Sequence, residues 1–174
     1  MSKIIFIGGI HGTGKSTISQ MICAEFDFEY LLASSLLKWA EINTDPKNKK
    51  VKDVTDTQDR LILGLNDKIQ KDVTYLLDGH FCLLNNSGKI MQVPILTFQT
   101  INPAVLIVVH DKIDKIKLRL EKRDGRLYDA DLLHTMQEAE ITHATNLSQE
   151  LKIPLIKTDD AFVIINKLQE IFKP

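Results

Sequence analysis

The chain has 174 residues, with 22 Lys and Arg against 23 Asp and Glu, and a formal net charge of −1 at pH 7. That balance argues against nucleic acid as the main partner, and no apolar run approaches the roughly 20 residues that span a bilayer. An apolar fraction of 44% and a charged fraction of 26% suit a soluble protein folded as one compact domain, residues 1–174.

The run Ile4-Ile5-Phe6-Ile7 predicts a buried strand over 3–8. No charged-then-apolar leader precedes it, so a cytoplasmic location is expected. Residues 9–16, Gly-Ile-His-Gly-Thr-Gly-Lys-Ser, fit G-x-x-x-x-G-K-[ST], the P-loop, with Gly9, Gly14, Lys15 and Ser16 at the fixed positions. Ile18, Met21, Ile22 and Phe26 then recur at spacings of three and four and predict a helix over 15–26. Glycines let the backbone curl and turn N–H groups inward as an anion nest. The following helix points its positive end at the same place. Gly9, His11, Gly12, Thr13, Gly14, Lys15, Ser16 and Thr17 are therefore the candidate ATP-binding residues. Lys15 brings a point charge for the β- and γ-phosphates, and the Ser16 hydroxyl is the expected Mg²⁺ ligand. A chance Gly-rich turn is the alternative, and the flanking strand and helix speak against it.

Further strands are predicted near 28–32, 74–78, 104–110 and 154–158, and helices near 35–42, 56–71, 112–122, 131–151 and 160–172. Cys23 and Cys82 follow no metal or redox spacing and read as small core residues. The polar, basic stretch 43–53 reads as an exposed loop. The third strand ends in Asp78-Gly79-His80. An acid there is the Walker B arrangement, able to hold Mg²⁺ beside the P-loop; a turn-forming Asp-Gly is the alternative. His80 either touches a substrate or is a plain loop histidine. In 82–95, Asn86-Ser87-Gly88 separates two apolar runs, the pattern of a small hairpin. Val105-Leu106-Ile107-Val108-Val109 reads as a central parallel strand. Arg119, Arg123 and Arg126 cluster in a chain with only four arginines. The first two share a helix face at i and i+4, and Arg126 follows the turn Asp124-Gly125. Clustered guanidinium groups suit the charge of phosphoryl transfer; a solvated basic helix end is the alternative. Strands alternating with helices imply a parallel sheet covered on both faces, with ligands at the carboxyl ends of its strands.

These pieces together resemble the P-loop nucleoside monophosphate kinases. Within them the chain is most similar to archaeal-type adenylate kinases and to small bacterial ATP-binding relatives. The resemblance covers nearly the whole chain and rests on Gly8 to Thr17, Leu77-Asp78-Gly79-His80, Ile101 to Val108, and Leu118 to Asp129. It implies a three-layer α/β P-loop NTPase fold with a five-stranded parallel sheet in the order 2-3-1-4-5, an acceptor-binding segment near 33–72 and a short lid near 119–130. The implied activity is transfer of the γ-phosphoryl of ATP to a nucleoside monophosphate with Mg²⁺. Lys15, Asp78, Arg119, Arg123 and Arg126 are then the expected catalytic residues, Ser16 and Asp78 the metal ligands, and Ser34, Ser35, Lys38, Arg60 and His80 the acceptor contacts. Many relatives have an arginine where this chain has Lys38, which cannot make a bidentate fork. Arg60 is also placed to pair with Asp56 at i−4 on a helix surface. The chain departs from the pattern after the lid, where the family carries an arginine and this chain has none after Arg126. Tyr128, Gln137 and His143 are candidates for lining the site, and each also fits a helix surface. The 82–95 insertion is a candidate wall for the acceptor base or a contact between copies in a homo-oligomer.

Three functions stand at this stage. The first is a nucleoside monophosphate kinase, which needs no general base because its acceptor oxygen is already anionic. The second is a P-loop kinase of another small molecule, a nucleoside or sugar acid, with Asp78 as base. The third is an ATPase or nucleotide switch acting on a protein partner. Neither nucleic acid nor a membrane is an expected partner.

Overall fold

A computed structural model describes residues 3–37 and 54–172, with the backbone alone for 54–57. The elements in order are β1 (Lys3–Gly8), α1 (Lys15–Phe26), β2 (Glu29–Leu32), α2 (Ala33–Leu36), α3 (Val54–Lys68), β3 (Thr74–Asp78), β4 (Cys82–Leu84) and β5 (Ile90–Gln92). They continue with α4 (Ile95–Ile101), β6 (Val105–Val109), α5 (Ile113–Asp124), α6 (Ala130–Leu151), β7 (Leu155–Thr158) and α7 (Ala161–Phe172). Lys38 and the 43–53 loop lie outside the described residues, as does most of the helix expected over 35–42.

The main sheet is five-stranded in the order β2-β3-β1-β6-β7, and every pairing is parallel. Counting the five main strands alone, this is 2-3-1-4-5; the labels differ because the β4-β5 hairpin intervenes. Period-two alternation in β1 sends Ile5 and Ile7 to one face and Ile4 and Phe6 to the other. On the first face they pack with Ile18 and Ile22 of α1 and Ile164 and Leu168 of α7. On the second they meet Leu61 and Leu65 of α3, Phe98 of α4 and Leu147 of α6. Burial on both faces explains why β6 is continuously apolar and fully shielded. Each such side chain contributes about 1.5–3 kcal/mol of transfer free energy.

The hairpin forms as expected, with β4 antiparallel to β5. Its turn is closed by the Asn85 side chain, whose Oδ1 accepts from the N–H groups of Ser87 and Lys89. The helix α4 was not expected. It is only 7 residues long, too short for periodicity to announce, and it forms because Phe98 and Ile101 bury one face in the core. Two helix ends position the site. α5 carries Asp114 in its first turn and Lys122 and Arg123 in its last, matching its dipole, and stops at Gly125, φ 65°. α6 starts at Asp129, whose carboxylate accepts from the N–H groups of Asp131 and Leu132.

Candidate functional site

The P-loop follows β1 directly, and its shape depends on two contacts. Gly9 sits at φ 140°, where a Cβ would lie 2.3 Å from the Val109 carbonyl oxygen of β6. Gly12, at φ 85°, faces Leu120 and Ile116 of α5, and a Cβ there would come within 2.8 Å of Leu120. Only glycine lets the loop lie this close to both. Thr13 turns its hydroxyl inward to the Ile10 carbonyl at 3.0 Å, so its backbone N–H, not its side chain, is what it offers a ligand. Residues 10–17 with Arg119 and Arg123 line a cavity of about 230 Å³. A second hollow of about 280 Å³ lies away from it, between the end of β5 and α6.

The register puts Asp78 opposite Ile7, the penultimate residue of β1, with Gly79 N–H bonded to the Ile7 carbonyl at 2.9 Å. This is why the acid ends up beside the loop. Asp78 is 2% exposed. Its Oδ1 meets the Lys15 ammonium at 2.6 Å as an ion pair, and no hydrogen-bond donor is aligned with that oxygen. Its Oδ2 accepts from the Tyr30 phenol at 2.7 Å. Burial, and then the bond to Asp78, push the phenol's pKa upward, so Tyr30 keeps its proton at neutral pH.

His80 reaches Glu140 of α6 at 3.4 Å, and its ring meets that of His11 at 4.7 Å between centroids. Glu140 is 2% exposed and accepts from the N–H groups of Phe81 (2.9 Å) and Cys82 (3.3 Å). Burial raises its pKa to about 7, against the pull of those N–H groups. Gln137, one turn earlier, brackets Asp111 after β6, accepting from its N–H at 3.1 Å and donating to its carbonyl at 3.0 Å. His143, one turn later, bonds the Val93 carbonyl at 2.7 Å. The α6 residues thus hold three backbone turns from one buried face.

Arg119 forms an ion pair with Asp111 at 2.7 Å and donates to the Gly12 carbonyl at 2.9 Å. Burial works against Asp111's charge, but the Lys112 N–H and Arg119 outweigh it and hold its pKa below the ordinary value. Arg123 makes a fork to Asp124 at 2.6 and 2.8 Å. That fork, and then the Tyr128 hydroxyl, lower the Asp124 pKa well below the usual range. Arg126 stacks on the Tyr128 ring, 4.9 Å to its centroid, and donates to its hydroxyl.

The structure therefore gathers residues 10–17, Arg119 and Arg123 around one cavity, with Asp78 joined to it through Lys15 and His80 through the His11 ring. Arg126 packs on Tyr128 and does not line that cavity. Ser34 and Ser35 stand in α2, just past Leu32, which is in register with Asp78. Arg60 is half-buried on α3, and Lys38 lies outside the described residues. Gln137 and His143 are buried and bonded to backbone, so they do not lie on the helix surface, and His143 lines the second hollow. Tyr30, Asp111 and Glu140 were not anticipated. An acid after an apolar strand, the signal that marks Asp78, also marks Asp111. Glu140 falls in the stripe Leu133, Gln137, Glu140, Ala144, Leu147, where a charge at a core position is the available sign. Nothing in the sequence marks Tyr30.

The donors suit Mg²⁺. Ser16 is exposed and the Asp78 carboxylate sits beside Lys15; one hydroxyl and one carboxylate, completed by nucleotide and water oxygens, match its preference for few protein ligands. Among the described residues no group of three His, Cys, Asp or Glu forms a metal cage. No helix among them is long and apolar enough to cross a membrane.

The profile of the AAA domain matches residues 8–137. No curated protein matches the chain. Among solved structures, a gluconokinase from Sinorhizobium meliloti 1021 superposes with a TM-score of 0.61 at 13% identity, over 97% of this chain and 90% of that one. An unliganded sugar kinase from Janibacter sp. HTCC2649 gives 0.61 at 16%, over 98% and 94%. An uncharacterized protein from Eubacterium ventriosum ATCC 27560 gives 0.54 at 13%, over 99% of each. At these identities the likeness establishes the P-loop kinase fold, and it does not single out adenylate kinases.

Proposed function

The chain belongs to the AAA domain family, and on that premise we propose that it is an ATP- and Mg²⁺-dependent phosphotransferase whose acceptor is a nucleoside monophosphate. The observation that carries the choice of acceptor is the state of Asp78. Its two oxygens are already engaged, one by an ammonium at 2.6 Å and the other by a phenol at 2.7 Å, so neither stands open to a substrate hydroxyl. A hydroxyl acceptor needs a base. A phosphomonoester presents an oxygen that is already ionised, and this site suits it.

In this reading the P-loop N–H groups and Lys15 cradle the β- and γ-phosphates. Ser16 and Asp78 would hold Mg²⁺, which supplies charge neutralisation between those phosphates. Arg119 is braced by Asp111 and the Gly12 carbonyl, so it keeps its place at the cavity wall. Arg123 carries its charge on the rim and exchanges Asp124 for phosphate oxygens. Arg126, Ser34, Ser35, Lys38, Arg60 and His80 are assigned to the lid and acceptor side on the family resemblance.

A second reading draws on the names of the solved neighbours, a gluconokinase and a sugar kinase. Here the acceptor is a sugar acid or other hydroxyl compound, and Asp78 takes its proton after Lys15 has turned to ATP. One assay separates the readings. The protein is incubated with ATP, Mg²⁺ and, in turn, each ribo- and deoxyribonucleoside monophosphate, gluconate and unphosphorylated nucleosides, and ADP and phosphorylated product are measured together. Stoichiometric conversion of a monophosphate supports the proposal, and conversion of gluconate or a nucleoside transfers it to the second reading. ADP formed at one slow rate with every acceptor and with none makes the chain an ATPase.

A further inference from the structure

We infer that Tyr30, on the edge strand β2, is a positioning residue for Asp78, holding the carboxylate in place when Lys15 leaves it for the nucleotide. The inference rests on the phosphotransferase reading above. Asp78 is 2% exposed, so water does not take over a lost partner. In the structure Lys15 holds one oxygen and Tyr30 the other. The same ammonium is the one a P-loop uses on the β- and γ-phosphates. Once it turns to them, the phenol is the side chain left bonded to the carboxylate. A hydrogen bond to a charged acceptor is among the stronger kinds and fixes direction as well as distance.

The placement supports the role. Tyr30 pairs with Leu76 and Leu32 with Asp78, so the phenol reaches two residues along the sheet to its partner. Tyr30 is 40% exposed and is not one of the buried core side chains. A half-exposed tyrosine on an edge strand whose hydroxyl meets a buried carboxylate is suited to orienting that carboxylate. β2 runs directly into α2, which carries Ser34 and Ser35. The bond therefore ties the start of the acceptor-side segment to the phosphate-binding floor.

The test is Tyr30→Phe, which removes one oxygen and keeps the ring. ATP affinity is measured by calorimetry without metal and across a Mg²⁺ titration, in wild type, Tyr30→Phe, Asp78→Asn and the double variant. Expected in Tyr30→Phe are metal-free ATP affinity within twofold of wild type and a Mg²⁺ requirement about tenfold higher. Where an acceptor is turned over, kcat falls about tenfold. In the Asp78→Asn background the same change adds less than twofold, because the group it acts through is gone. An unaltered Mg²⁺ titration in Tyr30→Phe overturns the inference. So does an equal loss in the Asp78→Asn background, the mark of a merely structural role, or a wild-type affinity that Mg²⁺ leaves unchanged. The binding measurements need no acceptor. A wild-type chain that phosphorylates nothing counts against the kinase reading, while the calorimetry still decides on Tyr30.

Discussion

Beneath the P-loop, Asp78 and Glu140 are each 2% exposed and Lys15 is 11% exposed at its side chain, and each has a partner from a distant part of the chain. Across the cavity the rim is built the other way. Arg123 pairs with Asp124, its immediate neighbour, and Arg126 with Tyr128, two residues on, and both arginines are exposed. Arg119 stands between the two regions, exposed itself but tied to buried Asp111 and to the loop carbonyl of Gly12. Buried, long-range pairs are expensive to break, because a charge or N–H left alone has no water to turn to. Exposed local pairs are worth little and exchange partners readily. The floor is therefore suited to hold geometry and the rim to follow the substrate.

Lys15→Ala should show the largest effect, because it removes the phosphate contact and leaves Asp78 buried without its ammonium. ATP binding by calorimetry should weaken about 100-fold or more, and full activity in this variant would falsify the P-loop reading. Glu140→Ala tests the floor as structure. It strips the acceptor from the Phe81 and Cys82 N–H groups and should lower stability by about 2–4 kcal/mol in urea unfolding at pH 6. A loss below about 0.5 kcal/mol would mean that water replaces the carboxylate and that the floor is not the closed unit described.

The rim should respond oppositely. Arg123→Ala is expected to lower kcat about tenfold while unfolding free energy stays within about 0.5 kcal/mol; a stability loss as large as that for Glu140 would erase the contrast. The same buried carboxylate also makes stability depend on pH. The folded-state pKa of Glu140 is raised to about 7, so the folded chain holds its proton longer than the unfolded one. The penalty is absent below the unfolded value near 4.5 and complete above about 7. Stability should thus fall across that window by up to about 1 kcal/mol per pH unit, and Glu140→Gln should flatten the slope. The His80 ring lies 3.4 Å from the same carboxylate, so the difference between the two proteins is the quantity to follow. Arg60→Ala should change least, raising the acceptor KM several-fold more than that for ATP. Equal effects on both would move Arg60 out of the acceptor side.

The glycine pattern around Lys15, the Asp78 strand end and the Arg119–Arg126 cluster were legible because each is a local code. Spacing along a few residues states the backbone shape or the charge density needed. The hairpin and the five main strands were legible for the same reason, through short apolar runs bounded by turn residues. α4 was not, since one buried face over seven residues leaves no periodicity to read. The α6 residues were visible as candidates but not in their roles. Gln137 and His143 look like surface or site-lining groups until the backbone turns they hold are in place.

By itself the sequence determined the P-loop, the alternation of strands and helices, and hence a parallel sheet whose strand ends carry the chemistry. These follow from short-range sterics and from burial on both faces of each strand. Only the tertiary structure decided that Asp78 shares its two oxygens between Lys15 and Tyr30, that Asp111 braces Arg119, and that Glu140 closes the turn after β3. Those pairs join residues 48 to 63 positions apart or bridge separate elements. A buried polar group is stable only where a partner from elsewhere in the chain arrives at hydrogen-bonding distance, and no local spacing encodes that arrival.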